Sequence, residues 1–572
     1  MQKILRINTK SGQIADAPIP EKYRVYGQRG LIDRFLMDEV DPKCDPLGPG
    51  NKLIICTGTF TGTSFPVSGR ISVGGKSPLT GTIKESSSGG MIGPMMASHG
   101  IKMIVLDDLP EENAGWKYLH ISKDGAYSLL DASDLVGLGT YAVCEKMFAK
   151  HGTNAAVLCI GQAGDMLYRS ASVMVSELGT GHPCRAAGRG GLGALMGSKK
   201  IKAVVAERAA KPAEFEYADK EKFDEARRKF VQMSQESAQA GGLHETGSTT
   251  MMDLTGPLGI VPHRNFSGLP LSDEQKALFT SKNWKEAGTK AGGKTGMSCH
   301  AGCIVMCSNI YNSEKGDFIT AGFEYETAAM FGPNLEIYDF YKTAKFDYLC
   351  DDIGVDSIET GCSMGVCMEG GKLEWGDADG VEALFGEMRE GTEFGRLIGQ
   401  GTEILGKALG VERIPVVKHQ GIPAYDPRGF KGNGITYCVS TQGADHTFGM
   451  VVAPGAPDEK LPDMAIESHI STAIANDFLC AFISGMVMSD PDMLPSLYAG
   501  AYGGEWTMEK CREQAKETLK IERMFNEGAG FTSKDDRLPE FFSKPGYEGG
   551  PAFTFTDEQV QKHMNAIYEY KG

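Results

Sequence analysis

The residues with the clearest chemistry are three cysteines that fall within nine positions of one another. Cys299, Cys303 and Cys307 lie in the segment Cys-His-Ala-Gly-Cys-Ile-Val-Met-Cys, whereas the rest of the 14 cysteines are spread over a chain of 572 residues. Thiolates ligate soft metals, and a [4Fe–4S] cluster requires four such ligands. The crowding therefore predicts an iron–sulfur cluster, with Cys480 as the fourth ligand from a distant segment.

The three cysteines are also compatible with two different roles. Their regular spacing of four would place them on one stripe of an α helix, as small buried side chains. They could also hold a structural zinc ion, although such sites usually combine two short knuckles and no second knuckle is present. For the scattered cysteines we expect reduced, buried thiols.

Composition and charge exclude several classes of function. The chain carries 58 basic and 74 acidic residues, a formal net charge of −16, which opposes binding to a nucleic acid backbone. We find no apolar run long enough to span a membrane. The first residues lack the apolar segment of a signal peptide, so we expect a cytoplasmic protein.

Short strands and glycine-rich turns are predicted for the first two hundred residues. A hairpin turn is predicted at 10–13, after a strand whose side chains alternate in polarity. Strands are predicted at 3–8, 52–56, 69–73, 101–106, 155–160 and 201–206, with glycine-rich breaks at 58–62, 75–81, 89–90 and 188–193. No internal repeat is evident in the sequence.

Helical periodicity dominates after about residue 210. Helices are predicted at 219–239, 340–349, 393–409, 508–525 and 556–570, and Thr556 with Gln559 forms a capping box for the last. We therefore predict an α+β multidomain fold. Its β-rich N-terminal domain would occupy 1–210, a helical domain with the cysteine cluster 211–420, and a second helical domain with the fourth cysteine 421–572.

Several motifs, taken in order along nearly the whole chain, resemble one known family. These blocks lie at 27–31, 45–53, 57–63, 68–70, 76–81, 86–90, 160–164 and 185–194. Their sequence and order resemble the tungsten-containing aldehyde:ferredoxin oxidoreductases. The resemblance implies a cofactor of tungsten, or molybdenum, held by two pyranopterin dithiolenes whose phosphates are bridged by magnesium, next to a [4Fe–4S] cluster.

The glycine-rich blocks have a physical interpretation beside the familial one. Dense glycine lets backbone amides approach a bulky anionic ligand closely, although tight turns in a β-domain explain any single block equally well. The resemblance implies that the pterins and magnesium lie near Arg70, Ser87, Gly89, Arg185, Ala186, Asp351, Val355, Asp356 and Leu479. Ser87 or Ser88 stands where the family usually has an asparagine, and Arg189 is equally consistent with a structural ion pair.

Two further residues are candidates for catalysis. Glu326, in the block 322–327, matches a family glutamate that faces the metal, and the resemblance implies a general acid/base. His446, in the block 443–446, would donate a hydrogen bond to the carbonyl of the substrate and polarise it. Without the resemblance, a surface carboxylate and a hydrogen-bonded core histidine are the simpler interpretations.

The implied reaction is the oxidation of an aldehyde and water to a carboxylate, with electrons leaving through the cluster. We expect ferredoxin or a small iron–sulfur subunit to accept them, and an oligomer or a larger complex. Two alternatives remain: the active-site subunit of an aryl-CoA (benzoyl-CoA type) reductase, and a non-catalytic electron-relay subunit. Ser87 and Ala475, which replace residues usual in the family, favour the relay, although Asp477 could substitute for the aspartate missing at 475.

Overall fold

The computed structural model describes residues 2–569, and two β-sheets dominate its N-terminal part. The first sheet contains β1 (Lys3–Asn8), β2 (Ile14–Pro18), β3 (Leu53–Thr57), β4 (Ile71–Lys76), β5 (Ile83–Ser88) and β6 (Ile101–Asp107). The second contains β7 (Lys117–Ile121), β8 (Tyr127–Asp131), β9 (Ala156–Cys159), β10 (Val173–Val175), β11 (Arg185–Ala187) and β12 (Ile201–Ala206). The helices here are α1 (Gln28–Glu39), α2 (Ile92–Ser98), α3 (Thr140–His151), α4 (Gln162–Asp165) and α5 (Leu192–Ser198).

The two sheets have the same topology. The strand order of the first is β2-β1-β6-β3-β4-β5, and that of the second, in the same direction, is β8-β7-β12-β9-β10-β11. In each, an antiparallel hairpin is followed by a 12-residue helix, α1 or α3, and the last strand pairs parallel to the first. One buried apolar cluster joins both sheets with α2 and α5.

This internal repeat was missed in the sequence, but its side chains confirm it. The last strands begin at Ile101 and Ile201, and each continues with a fully buried lysine, Lys102 or Lys202. The two ammonium groups contact equivalent carbonyls: Lys102 donates to Gly58 after β3, and Lys202 lies 3.4 Å from the oxygen of Gly161 after β9. The halves are therefore offset by 100 residues at this strand.

The rest of the chain is mainly helical. Its helices are α6 (Lys220–Glu236), α7 (Ala238–Thr246), α8 (Met252–Leu258), α9 (Asp273–Leu278), α10 (Ser281–Thr289), α11 (Tyr325–Phe331), α12 (Phe340–Ile353), α13 (Ser357–Glu369), α14 (Ala378–Glu390), α15 (Glu393–Gly399), α16 (Thr402–Leu409), α17 (Lys431–Val439), α18 (Leu461–Ala475), α19 (Ser484–Met488), α20 (Met493–Tyr502), α21 (Met508–Ala529) and α22 (Asp557–Ile567). Two small sheets consist of β13 (Lys294–Met297), β14 (Ser308–Asn312) and β15 (Phe318–Ala321), and of β16 (Val416–Val417) and β17 (Gln420–Gly421).

The predicted fold class is confirmed, but two of the predicted helices run across a break. The helix predicted at 219–239 is interrupted at Ser237, where α6 ends and α7 begins. The single helix predicted at 393–409 is two helices, α15 and α16, because Gly401 between them has a φ of 96° that ends regular helix. The capping box of Thr556 and Gln559 is present at α22, although Tyr570, the predicted end of that helix, lies outside the described residues. Within 2–569, no helix is both long and apolar enough to cross a membrane.

Candidate active site

A cavity of about 230 Å³ lies where the N-terminal sheets meet the helical part. It collects most of the side chains that the sequence singled out, from segments that are far apart in the chain. Its walls include Arg70, Gly89, Cys184, Arg185, Ala186, Cys299, His300, Cys303, Cys307, Glu324, Glu326, Asp347, Asp351, Cys480 and Phe482.

All four predicted ligand cysteines line this cavity. Residues 299–307 form turns rather than a helix, with positive φ angles of 83° at Gly302 and 54° at Met306, which excludes a buried helical stripe. The ligand atoms of Cys299 and Cys303 lie within 4.8 Å of each other. The arrangement can therefore present several sulfurs to one metal centre.

The surroundings of Cys299 favour a thiolate, whereas burial raises the pKa of the Cys307 and Cys480 thiols. A hydrogen bond with Cys303 holds the pKa of Cys299 well below its usual range, and the guanidinium groups of Arg185 and Arg70 act in the same direction. Thiolates, rather than thiols, are the metal ligands. Ser87 orients Arg70, because the serine Oγ accepts a hydrogen bond of 3.1 Å from Nε of Arg70.

Glycine and arginine form the wall that the N-terminal domain contributes. A Cβ on Gly89 would lie 3.1 Å from the sulfur of Cys299 and would crowd it, so glycine keeps this approach open. Arg185 is fixed by Glu177 at 3.0 Å and by Glu324 at 3.1 Å, while its neighbour Ala186 is exposed at the rim. The guanidinium group is thus a rigid cation beside the cysteines.

The aspartate motif at the end of α12 divides between two environments. Asp351 lines the cavity, and burial raises the pKa of its carboxyl well above the usual value. Asp356 caps α13 through the N–H of Ile358 and forms an ion pair of 3.2 Å with Arg189. Val355 is buried between them; neither it nor Asp356 lines this cavity.

Leu479, which precedes the fourth cysteine, also differs from the cavity residues. Its side chain is buried in an apolar cluster and does not belong to the cavity wall. Asp477 accepts a hydrogen bond of 2.7 Å from the N–H of Gly30, so its carboxylate is directed to α1. In this position it stabilises the chain around Cys480 through contacts with the N-terminal domain.

The two candidate catalytic residues face each other. Oε1 of Glu326 lies 3.6 Å from Nε2 of His446, and Oε2 accepts a hydrogen bond of 2.9 Å from the N–H of Ala424. Burial raises the pKa of the Glu326 carboxyl, although the nearby imidazole opposes this. Among residues 2–569, neither Oε1 of Glu326 nor Nδ1 of His446 has a hydrogen-bond partner, so both are available to a ligand.

Two tyrosines beside this pair were missed in the sequence. The ring of Tyr425 lies 5.8 Å from that of His446, and the buried Tyr437 has a hydroxyl without a partner in the described part of the chain. Charge on Glu326 raises the pKa of both phenols, after the larger effect of burial. Isolated tyrosines carry no spacing signal, so only the structure could reveal them.

A cavity lined by four thiols, fixed arginines and Glu326, with the partly buried His446 beside that glutamate, defines a protein built to hold a metal cofactor. Comparison with known families names the class: the model for the aldehyde ferredoxin oxidoreductase N-terminal domain matches residues 4–208, and that for domains 2 and 3 matches 225–572. The chain belongs to the aldehyde ferredoxin oxidoreductase family.

Curated relatives match over almost the full length. A tungsten-containing aldehyde ferredoxin oxidoreductase of Thermococcus kodakarensis is 30% identical, with 96% of this chain and 92% of the relative covered. The protein of the same description from Pyrococcus furiosus is also 30% identical, over 100% of this chain and 96% of its own. Among solved structures, the active-site complex of benzoyl coenzyme A reductase superposes with a TM-score of 0.81 at 19% identity, covering 99% of this chain and 93% of that one, which establishes a shared fold.

Proposed function

We propose that this protein is a tungsten- or molybdenum-pterin oxidoreductase that oxidises aldehydes to carboxylic acids and releases electrons through a [4Fe–4S] cluster. The observation that carries the proposal is that one cavity is lined both by the four cysteines and by Glu326. The curated relatives that cover the whole chain are described as aldehyde ferredoxin oxidoreductases, which supports the same reaction.

The residues fit the proposed cofactors. Cys299, Cys303, Cys307 and Cys480 would ligate the cluster. Arg70, with Ser87 beside it, would lie between cluster and pterin, where one cation can donate hydrogen bonds to both. The remaining residues inferred for the pterins and their magnesium ion are Gly89, Arg185, Ala186, Asp351, Val355, Asp356 and Leu479, of which Val355, Asp356 and Leu479 would act from behind the cavity wall.

The internal repeat supports two copies of one ligand. Equivalent glycines follow the fifth strand of each half, and they have nearly the same left-handed backbone: φ is 90° at Gly90 and 89° at Gly190. A side chain at either position would collide with a neighbour, at 2.5 Å in both cases. Neither glycine lines the cavity, so two pterins would reach these turns only beyond its wall.

The metal–pterin centre would supply the two-electron redox step when bound. The chain contributes orientation and proton transfer. His446 would donate a hydrogen bond to the aldehyde oxygen, and Glu326 would accept a proton from the water that becomes part of the carboxylate. Burial suits this task, because it raises the pKa of the Glu326 carboxyl and so makes its carboxylate a stronger proton acceptor than an exposed one.

Electrons would leave where the cysteine segments reach the surface. Ala301 and Gly302, between two of the cysteines, are exposed, and so is Phe482, two residues after Cys480. A small iron–sulfur protein such as ferredoxin could approach the cluster closely at this point. We propose a cytoplasmic enzyme that works with such an acceptor, as an oligomer or as part of a complex.

Metal analysis of the anaerobically purified protein, combined with two assays, tests the proposal. We expect about four irons and one tungsten or molybdenum per chain, and aldehyde-dependent reduction of a viologen dye. Iron without tungsten or molybdenum would instead indicate an electron-relay subunit. Both metals with oxidation of a cyclic dienoyl-CoA, but not of aldehydes, would indicate an aryl-CoA reductase.

A further inference from the structure

Two histidines and a glutamate converge at the edge of the second sheet, outside the candidate active site. His120 belongs to β7, His151 is the last residue of α3, and Glu207 follows β12 directly. Oε1 of Glu207 lies 2.8 Å from Nε2 of His120 and 3.9 Å from Nδ1 of His151. One ligand atom from each residue lies within 4.8 Å of the other two, and all three side chains are partly buried.

Surrounding hydrogen bonds hold these side chains in position. The backbone N–H of Glu207 donates to the carbonyl of Ile121 at 2.9 Å, and its own carbonyl lies 2.8 Å from Nε2 of His99. The hydroxyl of Tyr118 lies 3.1 Å from Nε2 of His151. This contact occupies Nε2 of His151, on the side of the ring away from Glu207, and leaves Nδ1 directed to Glu207. Hydrogen-bond partners of metal-bound histidines occupy the second ring nitrogen in the same way.

The internal repeat shows what the same position contains in the first half of the domain. Strands β1 and β7 pair with β6 and β12 in the same register, and α1 and α3 have the same length. The pairs of equivalent residues are Arg6 and His120, Glu39 and His151, and Asp107 and Glu207. In the first half the guanidinium of Arg6 bridges the two carboxylates and donates two hydrogen bonds to each, at 3.0 and 2.8 Å to Glu39 and at 3.0 Å twice to Asp107.

The second half keeps a carboxylate but replaces the cation. Its two imidazoles and one carboxylate converge without an arginine, and the ion pairs of Glu207 within the described residues are those with the two histidines. We propose that a divalent metal ion of the zinc type binds His120, His151 and Glu207, and joins helix to sheet where Arg6 does so in the first half. Imidazole nitrogen and carboxylate oxygen suit Zn²⁺, three such ligands leave a fourth position for water, and the negative end of the α3 dipole favours a cation.

Calorimetric titration of the iron-replete holoenzyme with ZnCl₂, under anaerobic conditions, tests the proposal. We expect one saturable ion per chain at this site. His120→Ala and Glu207→Gln each remove a ligand and should weaken Zn²⁺ binding by about 100-fold, whereas Tyr118→Phe should weaken it by about 10-fold. His244→Ala, which removes an exposed histidine on α7, is the matched control and should leave the affinity unchanged.

Anomalous X-ray scattering at the zinc edge gives a second readout that does not depend on the variants folding. In crystals of the wild-type enzyme soaked with ZnCl₂, a peak should lie about 2.1 Å from one atom of each of the three residues. The proposal is overturned if the wild-type enzyme binds no ion saturably, if His120→Ala and Glu207→Gln bind as tightly as the control, or if the anomalous peak lies elsewhere.

Discussion

Replacing the proposed general base by its isosteric amide is the most direct test of the catalytic assignment. In Glu326→Gln the side-chain oxygen can still accept the hydrogen bond from the N–H of Ala424, so the local structure should persist. What is lost is the ability to accept a proton. General acid–base catalysis contributes about 10²- to 10⁴-fold to a rate, so kcat should fall by that factor, or about 3–5.5 kcal/mol in the barrier.

The pH profile separates this role from a structural one. Because burial raises the pKa of Glu326 above its ordinary value of 4.5, the carboxylate is protonated, and inactive as a base, on the acid side of that raised pKa. The wild-type rate should therefore rise with pH through a value above 4.5. An amide cannot titrate, so the acid limb should be absent in Glu326→Gln.

The assay is aldehyde-dependent viologen reduction over a series of pH values, on enzyme preparations with equal iron and tungsten or molybdenum content. Glu558→Gln, which changes an exposed glutamate in the first turn of α22, is the control and should match the wild type. A loss smaller than tenfold, or an unchanged acid limb in Glu326→Gln, would refute the role of Glu326 as the base.

Three further perturbations have outcomes that follow from the geometry. Cys480→Ser should lower the iron content below about four per chain and abolish electron transfer to dye; full iron and activity would exclude it as a ligand. In the wild type the buried Arg29 forms an ion pair of 2.7 Å with Glu522, and Glu522→Gln removes this anionic partner. The free energy of unfolding should fall by about 3–5 kcal/mol. The control Glu517→Gln, on the exposed side of α21, should cost about 1 kcal/mol or less. Burial raises the pKa of Asp477 to about 6, so the folded state binds this proton more tightly than the unfolded state does. The free energy of unfolding should therefore decline by about 3 kcal/mol as the pH rises from about 4 to about 6. In denaturant titrations Asp477→Asn should lack this pH dependence, and the same pH dependence in the variant and the wild type would contradict the assignment.

Local patterns placed the few strands and helices that they predicted close to where they lie, because hydrophobic periodicity and turn residues act over short distances, but most elements were not predicted. The strand at Lys3–Asn8 and the helix that begins after Thr556 are where the pattern indicated. The predicted helix at 393–409 failed because two glycines, Gly399 and Gly401, end one helix and begin another, and periodicity alone does not detect such a break.

The repeat in the N-terminal domain shows what sequence patterns miss. A β-sheet of given topology tolerates very different side chains, since only the alternation of buried and exposed positions is required. Arg6 and His120 occupy equivalent positions, yet they share neither charge nor shape. The equivalence became visible only when strand register and order were available.

Residues of the candidate site could be proposed from the sequence only where they belong to a recognisable motif. The cysteines and Glu326 could be named from residue type and resemblance, and they do line one cavity. The partners that fix these residues, such as Glu324 for Arg185, could not be named, because an ion pair between segments 139 positions apart leaves no local signal. Asp356 stays a prediction for the pterin site, and its carboxylate is engaged by Arg189 and by the start of α13.

The position of the fourth cysteine along the chain has a consequence for biogenesis. Three of the sulfurs are available once the ribosome has passed residue 307, but the last belongs to residue 480 of 572, in a segment held against α1 near the start of the chain. A nascent polypeptide therefore lacks the fourth predicted ligand of the cluster until residue 480 has left the ribosome. A cluster with all four ligands cannot form before that point, so protein without its cofactor should accumulate whenever delivery of metals lags behind protein production.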